Sequence, residues 1–235
     1  VKRTLLERIA GSQRRKYAVV LLRALDSGSQ WLFDPQDHEH SSEVPEALRP
    51  ICAAALRRDG ASVVEVEGAK YLVQTLSPPH RLIVVGAVHI AQILLPMAQA
   101  AGFAGTLIDP RPAFASVDRF PGVDVFDQWP QDAMNELALD DRTAVVTLSH
   151  DPKIDEPALA AALNSEAFYI GALGSRRNHA GRRDRLAALG FSPEIIDRIH
   201  APVGLDLGGR APAEIAVAIL AQIIQTRYRG TASAD

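Results

Sequence analysis

Four short segments of this chain combine glycine, histidine, aspartate and arginine in a pattern suited to holding an anion. They are Gly86-Ala87-Val88-His89, Asp109-Pro110-Arg111, Ser149-His150-Asp151-Pro152-Lys153 and Gly171-Ala172-Leu173-Gly174-Ser175-Arg176-Arg177. Each follows an apolar run. A glycine turn that opens a helix turns main-chain N–H groups toward a phosphate, and an acidic residue about 20 positions on meets a ribose hydroxyl. Asp109 lies 23 residues after Gly86, which fits that offset. The plainer alternative is an aspartate that caps a turn before Pro110. Arg111 can pair with a phosphate or with a surface carboxylate.

The first of these turns departs from the dinucleotide fingerprint. Where Gly-x-Gly-x-x-Ala is expected, the chain has Gly86, Val88 and Ala91. The middle glycine normally lets backbone approach a pyrophosphate, and valine puts a branched side chain there. The fourth segment offers a second anion site. Gly171 and Gly174 allow close approach, Ser175 can cap the next helix, and Arg176 and Arg177 stand at its start. Cations there oppose the helix dipole and call for a counter-anion; a capped turn with solvated arginines is the alternative. His150, with Asp151 beside it, can orient a ligand or move a proton, or serve as a hydrogen-bonded structural residue. It is the one candidate for a catalytic role. His89 can face the first turn. Gly204-Leu205-Asp206-Leu207-Gly208-Gly209-Arg210 brings Asp206 and Arg210 to the start of the last helix, where Pro212 and Glu214 suit the first turn. His38 and His40, with Asp37 and Glu39, lack metal-ligand spacing and read as a solvated loop, so no metal site is expected. Cys52 falls among apolar positions and reads as core.

The elements that must position these residues follow from hydrophobic pattern. Beyond Ser77-Pro78-Pro79 the reading is strand Leu82–Val85, helix Ile90–Ala101, strand Thr106–Ile108, a candidate short strand Val123–Phe126 and a candidate helix Asp132–Leu139. Strand Ala144–Leu148, helix Pro157–Leu163, strand Ala167–Ile170, helix Arg177–Leu189 and helix Pro212–Arg227 follow. Continuous apolar strands between amphipathic helices predict an α/β, Rossmann-like parallel sheet with helices on both faces. Before Ser77 the pattern is weaker. Tyr17–Leu25 and Trp31–Phe33 are strand-like, Glu46–Arg58 is helical, and Ser62–Val66 with Lys70–Leu76 flank Glu67-Gly68 as a hairpin. We therefore expect a small α+β domain over 1–77 and the larger domain over 78–235.

Composition narrows the class. The 235 residues are 47% hydrophobic and 23% charged, with a net charge of -3, which gives no electrostatic case for nucleic acid or an anionic membrane. One cysteine excludes an intrachain disulfide. No segment reads as a signal peptide, and the apolar stretch around Ile215–Ile224 is too short to span a bilayer. The expected compartment is the cytoplasm.

Five segments in order, VVGAVHIAQ, IDPRPAFASVDRFPG, LSHDPKIDEPAL, YIGALGSRRNH and HAPVGLDLGGRAPAEIAVAILAQII, resemble the XdhC/CoxI family of molybdenum hydroxylase accessory proteins. The likeness covers about residues 80–228. It implies a cofactor chaperone that binds molybdopterin or molybdenum cofactor as cargo. Such a protein protects the cofactor during sulfuration and delivers it to the apoenzyme of a xanthine dehydrogenase or a carbon monoxide dehydrogenase-type enzyme. A cysteine desulfurase is a further partner on this reading, and the chain itself turns nothing over. Gly86 to Ala91, Asp109 and Gly171 to Arg177 then supply the anion and ribose contacts. Two other readings stay open. One is an NAD(P)-dependent oxidoreductase with His150 as acid/base; the other is an interaction protein with a vestigial loop that docks the target enzyme. A homodimer through the N-terminal cap or the last helix is compatible with each.

Overall fold

The computed structural model describes residues 3–37, 41, 43–56 and 59–229. The chain divides into two compact units, Val1–Pro78 and Pro79–Asp235.

The first unit is built on an antiparallel sheet. Its elements are α1 (Arg3–Arg14), β1 (Val19–Ala24), β2 (Gln30–Phe33), α2 (Arg49–Ala55), β3 (Gly60–Val66) and β4 (Ala69–Leu76), with strand order β2-β1-β4-β3. Alternation along the strands assigns the two faces. Val20, Leu22 and Val73 pack with Leu48 and Cys52, while Val19 and Leu32 pack with Leu5 of α1. Cys52 is core, and burial pushes its thiol up to about 11. The β3–β4 turn uses Glu67 and Gly68, both at positive φ (52° and 80°), the backbone that a two-residue hairpin demands. The expected Glu46–Arg58 helix is shorter: a 3-10 turn at Glu46–Leu48 precedes α2, and Pro50 lies in its first turn, where a missing N–H costs nothing. Helix α1 had no counterpart among the expected elements.

The second unit runs β5 (His80–Val85), α3 (His89–Ala100), β6 (Phe103–Ile108), β7 (Asp124–Phe126), α4 (Pro130–Leu137), β8 (Thr143–Thr147) and α5 (Pro152–Leu163). It continues with β9 (Tyr169–Ala172), α6 (Arg176–Ala188), α7 (Pro193–Ile196), β10 (Ile199–His200) and α8 (Pro212–Arg229). The strands form one six-stranded sheet in the order β10-β9-β8-β5-β6-β7, and every pairing is parallel. This is the Rossmann-like architecture expected from the apolar runs. Leu82 and Val84 face α3 and α8, while Ile83 and Val85 face α4 and α5. Burial on both faces is why this strand reads as an unbroken hydrophobic run. The chain order reverses between β5 and β8, so ligand chemistry belongs beyond the C-terminal ends of these two strands. Among the described residues, no helix is long and apolar enough to cross a membrane.

Candidate functional site

At the reversal point the chain leaves β5 through Gly86, with φ at 109°, and starts α3 at His89. Gly86 is wedged against the turn that follows β8: a Cβ there would sit 2.8 Å from the Ser149 nitrogen. The main chain is thus closely approached at Gly86 by Ser149. Val88, the residue that breaks the fingerprint, leans onto the apolar cluster beneath α3 and α8, and Ala91 is fully buried in it. No side chain caps the start of α3. His89 is exposed, with Nδ1 at 3.3 Å from Gln92 Oε1.

Asp109 ends β6 and is 0% exposed. Its carboxylate takes four hydrogen bonds. Ala87 N–H donates to Oδ2 at 2.7 Å, Arg111 N–H and Nε donate to Oδ1 at 3.0 and 2.8 Å, and Arg111 Nη2 donates to Oδ2 at 2.7 Å. These occupy the acceptor positions of a carboxylate, so a ribose hydroxyl would have to displace one of these donors. Asp109 ties the first two loops together, and Arg111, stacked 4.6 Å over Phe114, is the partner that holds it. Burial raises the Asp109 carboxyl, but the bonds from Arg111 and Ala87 outweigh this and hold it below the usual aspartate range. A depressed folded value stabilises the fold above the unfolded value, about 3.9, and that contribution is lost as pH falls through the folded value. The melting-temperature gap between wild type and Asp109→Asn should therefore be widest near neutral pH and narrow progressively as pH falls below about 3.9. A gap that stays constant from neutral pH through the acid range would contradict this.

The turn after β8 carries backbone strain. His150 has φ 62° and is exposed, a left-handed backbone rare outside glycine and asparagine. Hydrogen bonds hold it in place. Ser149 N–H and Oγ–H donate to Asp155 Oδ1 at 3.2 and 2.6 Å, Asp151 N–H donates to Ser149 Oγ, and Asp151 caps α5 by accepting from Lys153 N–H at 2.9 Å. Asp155 is pushed up by burial, against the pull of the Ser149 bonds and of Arg182.

Within β9, Gly171 is required by packing: a Cβ would meet Val203 at 2.6 Å and Tyr169 at 2.9 Å. Gly174 has φ 137°, and a Cβ there would make only ordinary contacts, with Asn178 at 3.5 Å and Arg182 at 3.9 Å. Ser175 caps α6 by accepting from Asn178 N–H at 3.2 Å. Arg176 and Arg177 are exposed, and the first turn of α6 contains no acid. A cavity of about 290 Å³ brings His150 and Arg177 together with Asp155, Asn178, Arg182 and Arg185. A larger groove of about 790 Å³ between α4 and α5 is lined by Met134, Leu139, Pro157 and Ala161 and has no histidine or arginine in its wall. In the loop before α8, Asp206 and Arg210 are exposed, and Glu214 accepts from Arg210 and Ala211 N–H at 2.8 and 2.9 Å. His38, Glu39 and His40 lie outside the described residues. Asp155 and Arg182 were not among the residues singled out from sequence. Each sits inside a helix, where no turn marks it, although Asp155 falls within the segment LSHDPKIDEPAL.

The model of the XdhC Rossmann domain matches residues 82–223, a span that holds every rim segment just described. The chain belongs to the XdhC family. Two curated relatives are similar to this chain. One, from Bacillus subtilis, is named as a probable xanthine dehydrogenase subunit and is 33% identical over 158 residues, which are 67% of this chain and 46% of the relative. The other is the molybdenum cofactor insertion chaperone PaoD of Escherichia coli, 38% identical over 117 residues, 49% of this chain and 36% of that one. The match thus spans less than half the length of either curated relative. A crystal structure of a xanthine dehydrogenase from Bacillus halodurans superposes with a TM-score of 0.71 at 25% identity, covering 99% of this chain and 69% of the other.

Proposed function

We propose that this XdhC-family chain carries molybdenum cofactor as cargo over the C-terminal rim of its parallel sheet and passes it to the apoenzyme of a molybdenum hydroxylase. The observation that carries the reading is the start of α6. Arg176 and Arg177 stand exposed at the positive end of a helix whose first turn has no acid, an arrangement that is favourable only with an anion present. Molybdopterin ends in a phosphate, and its dinucleotide form adds a pyrophosphate. Kinship with a protein named as a molybdenum cofactor insertion chaperone supports the same cargo. On this reading Gly86 to Ala91 and Gly174 to Arg177 lie along the phosphate-bearing part of the ligand, with His150 and Asp151 between them and Asp206 and Arg210 on the loop before α8. Asp109 acts through Arg111. A cysteine desulfurase as sulfur donor and a homodimer belong to the same proposal. The rival nicotinamide reading loses support at Asp109, whose carboxylate is already filled.

The test is anaerobic titration with molybdopterin, followed by fluorescence after oxidative release. The wild-type chain should bind it, and the double variant Arg176→Ala, Arg177→Ala should bind about tenfold more weakly or worse, as expected for losing a charge-assisted contact. Absence of binding by the wild type, or micromolar binding of NADH in its place, overturns the proposal.

A further inference from the structure

Beneath the small cavity beside α6, a carboxylate and a guanidinium are each only half satisfied. Asp155 Oδ1 accepts from Ser149, but Oδ2 has no hydrogen-bond partner. Arg182 Nη2 donates to the Leu173 carbonyl at 3.0 Å, but Nη1 has none. The residues are 1% and 6% exposed, and Arg182 Nη2 stands 3.9 Å from Asp155 Oδ2, beyond hydrogen-bond range. Buried polar atoms are nearly always paired, and each exception calls for an explanation. Two more exceptions belong to the same neighbourhood. Thr147 Oγ1 is unpartnered in the residue whose carbonyl accepts from Leu173, and His179 Nδ1 is unpartnered one helical turn before Arg182.

The unpartnered atoms are one acceptor and one donor, and their residues line one cavity with His150, Arg177 and Asn178. An inorganic anion is a poor complement, because it brings acceptors only and meets the Asp155 charge. The complement is a ligand edge that carries an N–H beside a C=O. We propose that Asp155 and Arg182 receive the N–H/C=O edge of a pterin ring, Oδ2 accepting from the ring N–H and Nη1 donating to the ring carbonyl. This rests on the cofactor reading above and assigns the ring end of that cargo. A volume of about 290 Å³ is at the small end for ligand sites, enough for a two-ring heterocycle and too small for the whole cofactor. The phosphate end then extends toward Arg176 and Arg177. Oδ2 and Nη1 are themselves covered, so on this proposal the ring reaches them as the Arg182 guanidinium turns about its Nη2 bond to the Leu173 carbonyl.

The experiment is fluorescence titration of the full chain with 6-methylpterin and with its 3-methyl derivative, in which a methyl replaces the ring N–H. The parent should bind saturably, and the N-methylated compound at least about tenfold more weakly, because Asp155 then loses its donor. Asp155→Asn and Arg182→Gln, checked for cooperative melting, should each weaken 6-methylpterin by a similar factor. Equal binding of the two pterins, or displacement of the parent by millimolar inorganic phosphate, overturns the assignment. If molybdopterin binds but excess 6-methylpterin does not compete with it, the ring site falls and the cofactor reading stands. If 6-methylpterin binds with the N–H preference and molybdopterin does not bind, the ring site stands and the cofactor reading falls.

Discussion

Gly86→Ala should lower the melting temperature of the second unit by about 6–12 °C and, on the cofactor reading proposed above, abolish binding with it. Two costs add at this position. The backbone sits at φ 109°, where an L-residue carries about 1–3 kcal/mol of strain. The new Cβ would also lie 2.8 Å from the Ser149 nitrogen and 3.0 Å from its Cα. These are main-chain atoms at the end of a central strand and cannot rotate away. Relief requires β5 and β8 to part at their C-terminal ends, where Leu148 N–H donates to the Val85 carbonyl at 2.8 Å. Gly122→Ala is the internal control. Gly122 also has positive φ (74°), but nothing lies within 4 Å of its added Cβ, so only the conformational strain applies. Equal melting temperatures for the two variants would refute the role given to the Gly86–Ser149 contact.

Asp109→Ala is expected to cost about 2–4 kcal/mol of stability, and Asp109→Asn clearly less. Alanine leaves the buried Ala87 N–H without an acceptor, which accounts for about 1–3 kcal/mol. It also releases Arg111 from its two-pronged grip. The Arg111 side chain is 37% exposed and can turn to water, so its share is small. Asparagine keeps one oxygen for the Ala87 N–H. Chemical denaturation of the three proteins checks the order. A stability for Asp109→Ala equal to that of Asp109→Asn would mean that the Ala87 bond contributes nothing. Because this bond fixes the turn that opens α3, Asp109→Ala should also loosen ligand binding without Asp109 touching the ligand.

The turn glycine and the acidic end of β6 were both legible, because each sits at a strand end where apolar periodicity stops. What they touch was not. Gly86 meets the main chain of Ser149, and Asp109 is filled by Arg111 and Ala87; such contacts depend on strand order and side-chain rotamers, to which periodicity is blind. Gly171 had the composition of a ligand loop, yet the Val203 and Tyr169 side chains set its size. The long helices of the second unit announced themselves through amphipathic spacing. The two-residue β10 is too short for any pattern, and α1 precedes the weakest-patterned part of the chain. Asp155 and Arg182 come from two different helices, and only the packing of α5 against α6 brings the pair together.

Helix α8 packs on α3 across one face of the sheet, where Ala216, Ile219 and Ile223 cover Leu94, Leu95 and Ala98. The two segments lie at opposite ends of this unit's sequence. During translation the first βα pair therefore emerges long before the helix that shields it, and a growing polypeptide must carry that oily flank uncovered. Truncation ahead of Pro212 should yield material that clumps instead of a smaller folded unit, and the order of synthesis, as much as the final contacts, sets when this flank is first covered.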